Sequence, residues 1–167
     1  MAGPERKRNR LEGYDYSQAG YYFVTICAAN RAEILGKVCR GAHCAPAYTR
    51  LSESGRAVDA AILQIPKHHP SVRVDKYVIM PNHVHLILVL GETGGRAMRA
   101  PTISGIVRGM KEAVTKSLGD QIWQKSYYDH IIRNQADYLR IWEYIDTNPA
   151  KWREDCYYTE TAEDTLT

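Results

Sequence analysis

The sequence predicts an α+β fold in which an antiparallel β-sheet is covered by helices. Three observations carry that reading. Runs rich in aromatic and β-branched residues recur at 21–27, 34–39 and 72–90, which is strand composition. Two longer stretches, 52–65 and 103–118, space their apolar residues at helical intervals. Strand-like runs come in sequence-separated pairs with helices between them, a pattern that favours an antiparallel sheet with helices on one face.

Residues 1–18 read as a basic, flexible lead-in, and 21–27 (YYFVTIC) as the first strand. Asn30 and Arg31 mark a turn, 34–39 a short second strand and 41–46 a loop. After Ser52, the residues Val58, Ala61, Ile62 and Ile65 fall on one helical face, and Pro66 is expected to stop that helix. A strand over 72–79 is interrupted at Met80-Pro81, because proline has no N–H to give a ladder. Residues 83–90 continue it or pair beside it. A glycine-rich connection at 91–95 leads to a helix whose stripe is Ile103, Ile106, Val107, Met110, Val114 and Leu118, with Gly119 as its cap. A short strand is expected at 122–128. A final helix over 135–147, with Tyr138, Ile141, Trp142 and Ile145 as its core stripe, ends before Pro149. The chain thus divides into an arm (1–18), one domain (19–150) and a tail (151–167), with no internal repeat.

At 167 residues the chain is long enough for a single well-packed core. No run of about 18 apolar residues is present, so no membrane span is expected. The polar, basic N-terminus lacks the apolar centre of an export signal, which points to a cytoplasmic, nucleoid-associated protein. Cys27, Cys39, Cys44 and Cys156 form no secreted-domain framework and are expected to be thiols. A net charge of +3 permits a nucleic-acid partner without requiring one. The distribution is more telling: Arg6, Lys7, Arg8 and Arg10 make one end basic, while Glu160, Glu163 and Asp164 make the other acidic.

Met80-Pro81-Asn82-His83-Val84-His85-Leu86-Ile87 is the stretch that carries chemistry. On a strand, His83 and His85 project from the same face about 6.5 Å apart along the chain, which suits two ligands of one ion. Two histidines alone are a weak signal and serve equally well as structural residues. On the last helix, Tyr144 and Asn148 form an i, i+4 pair on one flank of the apolar stripe. Taken alone, the tyrosine reads as cover for the core edge and the asparagine as a helix end.

Taken together, these motifs resemble those of the HUH single-strand DNA endonucleases with one tyrosine, and more closely the REP-associated tyrosine transposases. The similar text spans nearly the whole chain in order: RLEGYDYS at 10–17, YFVTI at 22–26, VIMPNHVH at 78–85, IVRG at 106–109, IWQ at 122–124, YDHIIR at 128–133 and YIDTNP at 144–149. The resemblance implies a ferredoxin-like or RRM-like core. It implies His83, His85 and Asn148 as ligands of Mg²⁺ or Mn²⁺, with Tyr144 as nucleophile. Many insertion-sequence relatives have glutamine where Asn148 stands, so this helix must approach the ion more closely. The partner implied is single-stranded DNA with a hairpin and flanking recognition bases, bound by a monomer or a homodimer.

The chemistry follows from the residue types. Phosphodiester cleavage needs charge neutralised on the non-bridging oxygens, which a metal with open positions provides. Attack by a deprotonated tyrosine leaves a 5′-phosphotyrosine and a free 3′-hydroxyl, and the retained ester can be reversed to rejoin strands. Two imidazoles suit Mn²⁺ better than Mg²⁺. The alternative is a domesticated protein that binds the DNA hairpin without cutting it. Arg96, Arg99, Arg108 and Lys111 are further candidates for phosphate contacts, beside the arm. Cys39, His43 and Cys44 depart from the common zinc-finger spacings, and His130 and Arg133 suit packing as well as DNA contact.

Overall fold

The computed structural model describes residues 13–40, 45–92 and 101–158. In chain order its elements are β1 (Gly20–Cys27), β2 (Gly36–Cys39), β3 (Tyr48–Leu51), α1 (Glu53–His68), β4 (Val72–Ile79), β5 (His83–Leu90), α2 (Ile103–Leu118), β6 (Tyr128–Ile132) and α3 (Gln135–Thr147). The main sheet runs β4-β5-β1-β6 with every neighbour antiparallel. Setting aside the small β2–β3 hairpin, the order β-α-β-β-α-β is the ferredoxin-like split arrangement. The fold is α+β, as the sequence implies.

Helices cover both faces of the sheet, which corrects the expectation of one covered face. Tyr22, Val24 and Ile26 of β1, with Val84, Leu86 and Leu88 of β5, pack against Val58, Ile62 and Ile65 of α1 and Ile106 and Met110 of α2. The intervening residues Phe23 and Ile87 join Ile132 in a second cluster against Ile141 and Ile145 of α3. Because β1 and β5 are apolar in both phases of their two-residue period, neither face can be left to water.

Caps fix where the helices begin. The Ser52 hydroxyl accepts from the Gly55 N–H at 3.1 Å and donates to the Ile34 carbonyl at 2.6 Å, so the cap of α1 also holds the approach to β2. Gly55 permits this close crossing, since a Cβ there would lie 2.0 Å from the Leu35 carbonyl oxygen. Thr102 and Asn134 cap α2 and α3 in the same way. At the other end of α2, Gly119 takes the left-handed conformation at φ 72°.

Four local differences from the sequence reading have physical causes. α1 runs past Pro66 to His68, because a proline in the last turn costs a single helical bond. The strand expected at 122–128 lies instead at Tyr128–Ile132. There, the Lys111 ammonium takes the carbonyls of Gln124 and Ser126 at 2.8 and 3.1 Å, leaving Trp123 with one bridge to Ala28. β3, a stretch to which the sequence reading assigns no element, pairs with β2 from Gly36↔Leu51 to Cys39↔Tyr48. Trp142 lies on the surface at 38 % exposure, with the Lys76 ammonium 3.8 Å from its ring centroid; this cation–π contact replaces the core role expected of it.

A one-residue register shift at Asp75 resets the phase of β4. Asp75 accepts from the Tyr138 hydroxyl at 2.6 Å and Lys76 pairs with Asp146 at 2.5 Å. Two successive strand residues therefore both reach α3, while Tyr77 turns to the other face and donates to Asp59 of α1 at 2.7 Å. Ile145, fully buried, is the apolar centre of the α3 contact. Ile145→Ala is expected to cost about 2–5 kcal/mol, read as a fall in the urea midpoint with unchanged slope.

Candidate active site

β5 sets the histidine pair. His83, His85 and Ile87 share the face toward α3, while Val84 and Leu86 enter the core below α1 and α2. The turn at Met80-Pro81-Asn82 closes with the Met80 N–H on the His83 carbonyl at 2.8 Å, so the expected proline interruption is a hairpin turn and the histidines open its second strand. Both rings are buried. Their Nε2 atoms lie 2.9 Å apart.

The hydrogen bonds assign the ring protons. Asn82 spends its amide N–H groups on the carbonyls of Arg31 and Tyr157, at 3.2 and 2.8 Å, which turns its Oδ1 to His83 Nδ1 at 2.8 Å. His83 thus donates from Nδ1 and keeps the Nε2 lone pair. His85 Nε2 then donates to it, and the Thr25 hydroxyl, 2.8 Å from His85 Nδ1, donates to that nitrogen. Burial pulls the His83 imidazole down to about 4 against the opposing charge of Asp155, and burial with the neighbouring His83 holds His85 well below its usual range. Both rings are neutral at neutral pH, as metal ligands must be.

α3 brings the other two residues. With Ile141 and Ile145 on the sheet, Tyr144 and Asn148 face the histidines along one flank. The Tyr144 hydroxyl is 3.2 Å from His85 Nε2 and donates to Asp155 Oδ2 at 2.9 Å. Tyrosine and histidine pair therefore meet within one chain. Asn148, 2 % exposed, donates to the same Asp155 oxygen at 2.6 Å, while its own Oδ1 is buried without a hydrogen-bond partner. Burial pushes the Tyr144 phenol well up, and the Asp155 carboxylate adds to the shift.

Asp155 is the residue that the sequence reading missed. It follows a 3₁₀ turn at Trp152–Glu154, and its Oδ1 accepts from the Tyr157 N–H at 2.8 Å. Trp152 and Tyr157 lay their rings against His83, with centroids 5.8 and 4.5 Å away. Nothing in a charged segment beyond the last helix distinguishes Asp155 from Glu154. Thr25 and Asn82 were more accessible to inference: Thr25 is the cross-strand partner of His85 and Asn82 directly precedes His83.

His83, His85 and Asp155 offer ligand atoms within 4.8 Å of one another. Two tests support a fit to a divalent ion. Cis ligands of an octahedral ion at about 2.1 Å stand about 2.9 Å apart, the separation of the two Nε2 atoms. The unpartnered Asn148 oxygen, on the amide whose nitrogen is 2.6 Å from Asp155 Oδ2, supplies a neutral donor next to that carboxylate. A cleft of about 390 Å³ opens next to this group, with Phe23, Tyr128, His130, Arg140, Tyr144 and Tyr157 among its walls.

The phosphate-contact candidates are not gathered here. Arg6, Lys7, Arg8, Arg10, Arg96 and Arg99 lie outside the described residues, as do His43 and Cys44. Arg108 is exposed and 3.8 Å from Glu112 one turn on, and Lys111 points inward to two carbonyls; both belong to α2, on the opposite face of the sheet. His130 pairs with Asp137 at 2.7 Å and Arg133 is exposed. Among the described residues, no helix is long and apolar enough to cross a membrane.

A ferredoxin-like sheet bearing His-x-His opposite a helix-borne tyrosine is the arrangement of the single-tyrosine HUH class. No family model matches the chain. An uncharacterized protein of Haemophilus influenzae is 37 % identical over 180 aligned positions, covering 95 % of this chain and 97 % of that one. The REP-associated tyrosine transposase of Escherichia coli K12 is 27 % identical over 137 positions, covering 81 % and 70 %. A solved REP-associated tyrosine transposase bound to a REP hairpin superposes with a TM-score of 0.64 at 25 % identity, covering 86 % and 74 %. In sequence and in fold, the chain is similar to the REP-associated tyrosine transposases.

Removing the Asp155 carboxylate takes away the second cause of the raised Tyr144 pKa and leaves burial, the first. Asp155→Ala should therefore lower the Tyr144 pKa without restoring the value of an exposed tyrosine. Ultraviolet titration, differenced against Asp155→Ala/Tyr144→Phe, reads the shift.

Proposed function

We propose that this protein is a metal-dependent transposase that cleaves and rejoins single-stranded DNA at hairpin-forming palindromic repeats through a 5′-phosphotyrosine intermediate. The observation that carries this reading is the placement of the Tyr144 hydroxyl 3.2 Å from His85 Nε2, beside the neutral histidine pair and the buried Asn148 oxygen. Similarity to the REP-associated tyrosine transposases and the hairpin bound by the structural neighbour support the substrate class.

His83 and His85 would hold the ion through Nε2, the His85 proton shifting from Nε2 to Nδ1, where the Thr25 hydroxyl oxygen 2.8 Å away can accept it, with Asn148 and Asp155 completing the protein's share. Bound there, Mn²⁺ or Mg²⁺ would neutralise charge on the scissile phosphate. Tyr144 is the nucleophile. Its hydroxyl already donates to Asp155, which gives the phenolic proton an acceptor as the oxygen forms its bond to phosphorus and the 3′-oxygen departs. The ester that results is reversible by a 3′-hydroxyl, so strand joining needs no nucleotide cofactor. Single-stranded bases would stack on tyrosines at the cleft, of which Tyr128 is 44 % exposed. The basic arm at 1–18 is the DNA grip, with Arg96, Arg99 and Arg108 as further phosphate contacts. Lys111 serves the fold first, since its ammonium is spent on two carbonyls. Because one chain supplies histidines and tyrosine alike, a monomer is sufficient for cleavage.

Incubation with a hairpin oligonucleotide carrying its flanking single strand, in Mn²⁺, should give a protein–DNA adduct that survives denaturant. Tyr144→Phe should abolish the adduct, and His83→Ala or chelation should abolish cleavage while hairpin binding persists. An adduct on Tyr144→Phe would remove Tyr144 from its role. Binding with no adduct in any divalent metal would favour a hairpin-binding protein without cleavage.

A further inference from the structure

Asn82 lies fully buried in the β4–β5 turn, and every polar atom of its side chain is engaged. Its Oδ1 takes the His83 Nδ1 proton. Its Nδ2 donates in two directions, to the Arg31 carbonyl and to the Tyr157 carbonyl. Three segments distant in sequence therefore meet on one amide: the turn after β1, the histidine strand, and the segment that carries Asp155.

Each of those contacts constrains something the site needs. Asn30 and Arg31 both hold left-handed backbone, at φ 55° and 54°, which non-glycine residues keep only where surrounding contacts over-determine it. The Tyr157 carbonyl lies two residues beyond Asp155, whose Oδ1 in turn accepts the Tyr157 N–H. Fixing Tyr157 thus fixes where Asp155 stands against Tyr144 and Asn148. The backbone of the turn adds to this: Asn82 accepts from the Ala28 N–H through its carbonyl at 2.8 Å, and Pro81 from the Leu35 N–H at 2.9 Å.

We infer that Asn82 is a positioning residue with two separable duties, holding His83 as the Nδ1–H tautomer so that Nε2 faces the site, and docking residues 155–157 so that Asp155 joins the histidine pair. The inference rests on the metal reading above for its consequence, while the tautomer and the docking can be observed on the protein alone. The Asn82 carboxamide accepts from one proposed ligand, His83, and donates to the segment that brings another, Asp155.

Two substitutions separate the duties. Asn82→Asp keeps an acceptor for His83 Nδ1–H and loses both donors. At about pH 8, long-range ¹H–¹⁵N spectra of this variant should still report His83 protonated at Nδ1, while hydrogen exchange at the Tyr157 and Tyr158 amides rises about tenfold or more. Asn82→Ala should lose both, with His83 no longer confined to one tautomer. Free-Mn²⁺ titration by electron paramagnetic resonance should show affinity falling about 10–100-fold in Asn82→Ala, and in Asn82→Asp to the level of Asp155→Ala. Protected amides in β1 and β5 check that each variant is folded, and Asn82→Ser replaces Asn82→Ala if the latter is not. An unchanged His83 tautomer in Asn82→Ala (or its replacement) would overturn the first duty, and unchanged exchange at Tyr157 and Tyr158 in Asn82→Asp the second. If the wild-type protein takes up no Mn²⁺, the metal reading fails, and the spectra and exchange still decide the role of Asn82.

Discussion

The contact between α3 and the second face of the sheet is what the site depends on. Ile141 and Ile145 bury themselves on Phe23, Ile87 and Ile132, a contribution of about 1.5–3 kcal/mol for each fully buried side chain. That apolar seat fixes the helix only to within a slide or a roll. The polar contacts from β4 remove the remaining freedom, and both require the register shift at Asp75. In an unbroken strand Asp75 and Lys76 would point to opposite faces; shifted, they reach Tyr138 and Asp146, two turns apart on one helix. The shift also returns Val78 to the α3 side and Ile79 to the larger core. An irregularity in the edge strand thus sets the phase on which Tyr144 meets the histidines.

Charge at the site follows from burial. Two buried, neutral imidazoles and a half-buried carboxylate form a group with negative character. Asp155 is half-buried and held by three donors, from Tyr144, Asn148 and the Tyr157 backbone, and an anion so supported favours a nearby cation. The same environment keeps the Tyr144 phenol protonated. A phenol that stays protonated until positive charge arrives beside it would suit the role of nucleophile proposed for Tyr144, since premature attack would break DNA.

Sequence made the strands and their periods legible because their composition is strong: both β4 and β5 have the bounds that their residues predict. His83 and His85 could be paired from spacing alone, and Tyr144 with Asn148 from helical geometry. What joined the two pairs was resemblance, since a strand and a helix 59 residues apart carry no local sign of meeting. The second covered face escaped because Phe23 and Ile87 read as ordinary members of continuous apolar runs. Asp155 escaped for a different reason. Its position is set by Asn82, Trp152 and Tyr157 acting through backbone and ring contacts, and no periodicity records such a three-body arrangement.

Asn148 shows how the parts constrain one another. An asparagine has one methylene fewer than the glutamine that the resemblance to insertion-sequence transposases would place here, so to share an ion with the histidines its helix end would have to stand closer to β5. The residue beside it makes that approach possible. Ile145, fully buried, seats the last turn of α3 on Phe23 and Ile87. The amide is then held between two demands, donating to Asp155 while its oxygen remains unpartnered. A buried carbonyl oxygen without a partner costs about 1–3 kcal/mol, and a divalent ion between it and the imidazoles would return that energy. With Asn148 as the third ligand we propose, the shorter side chain and the unsatisfied oxygen would follow from one geometry, in which a bound ion stabilises the acceptor.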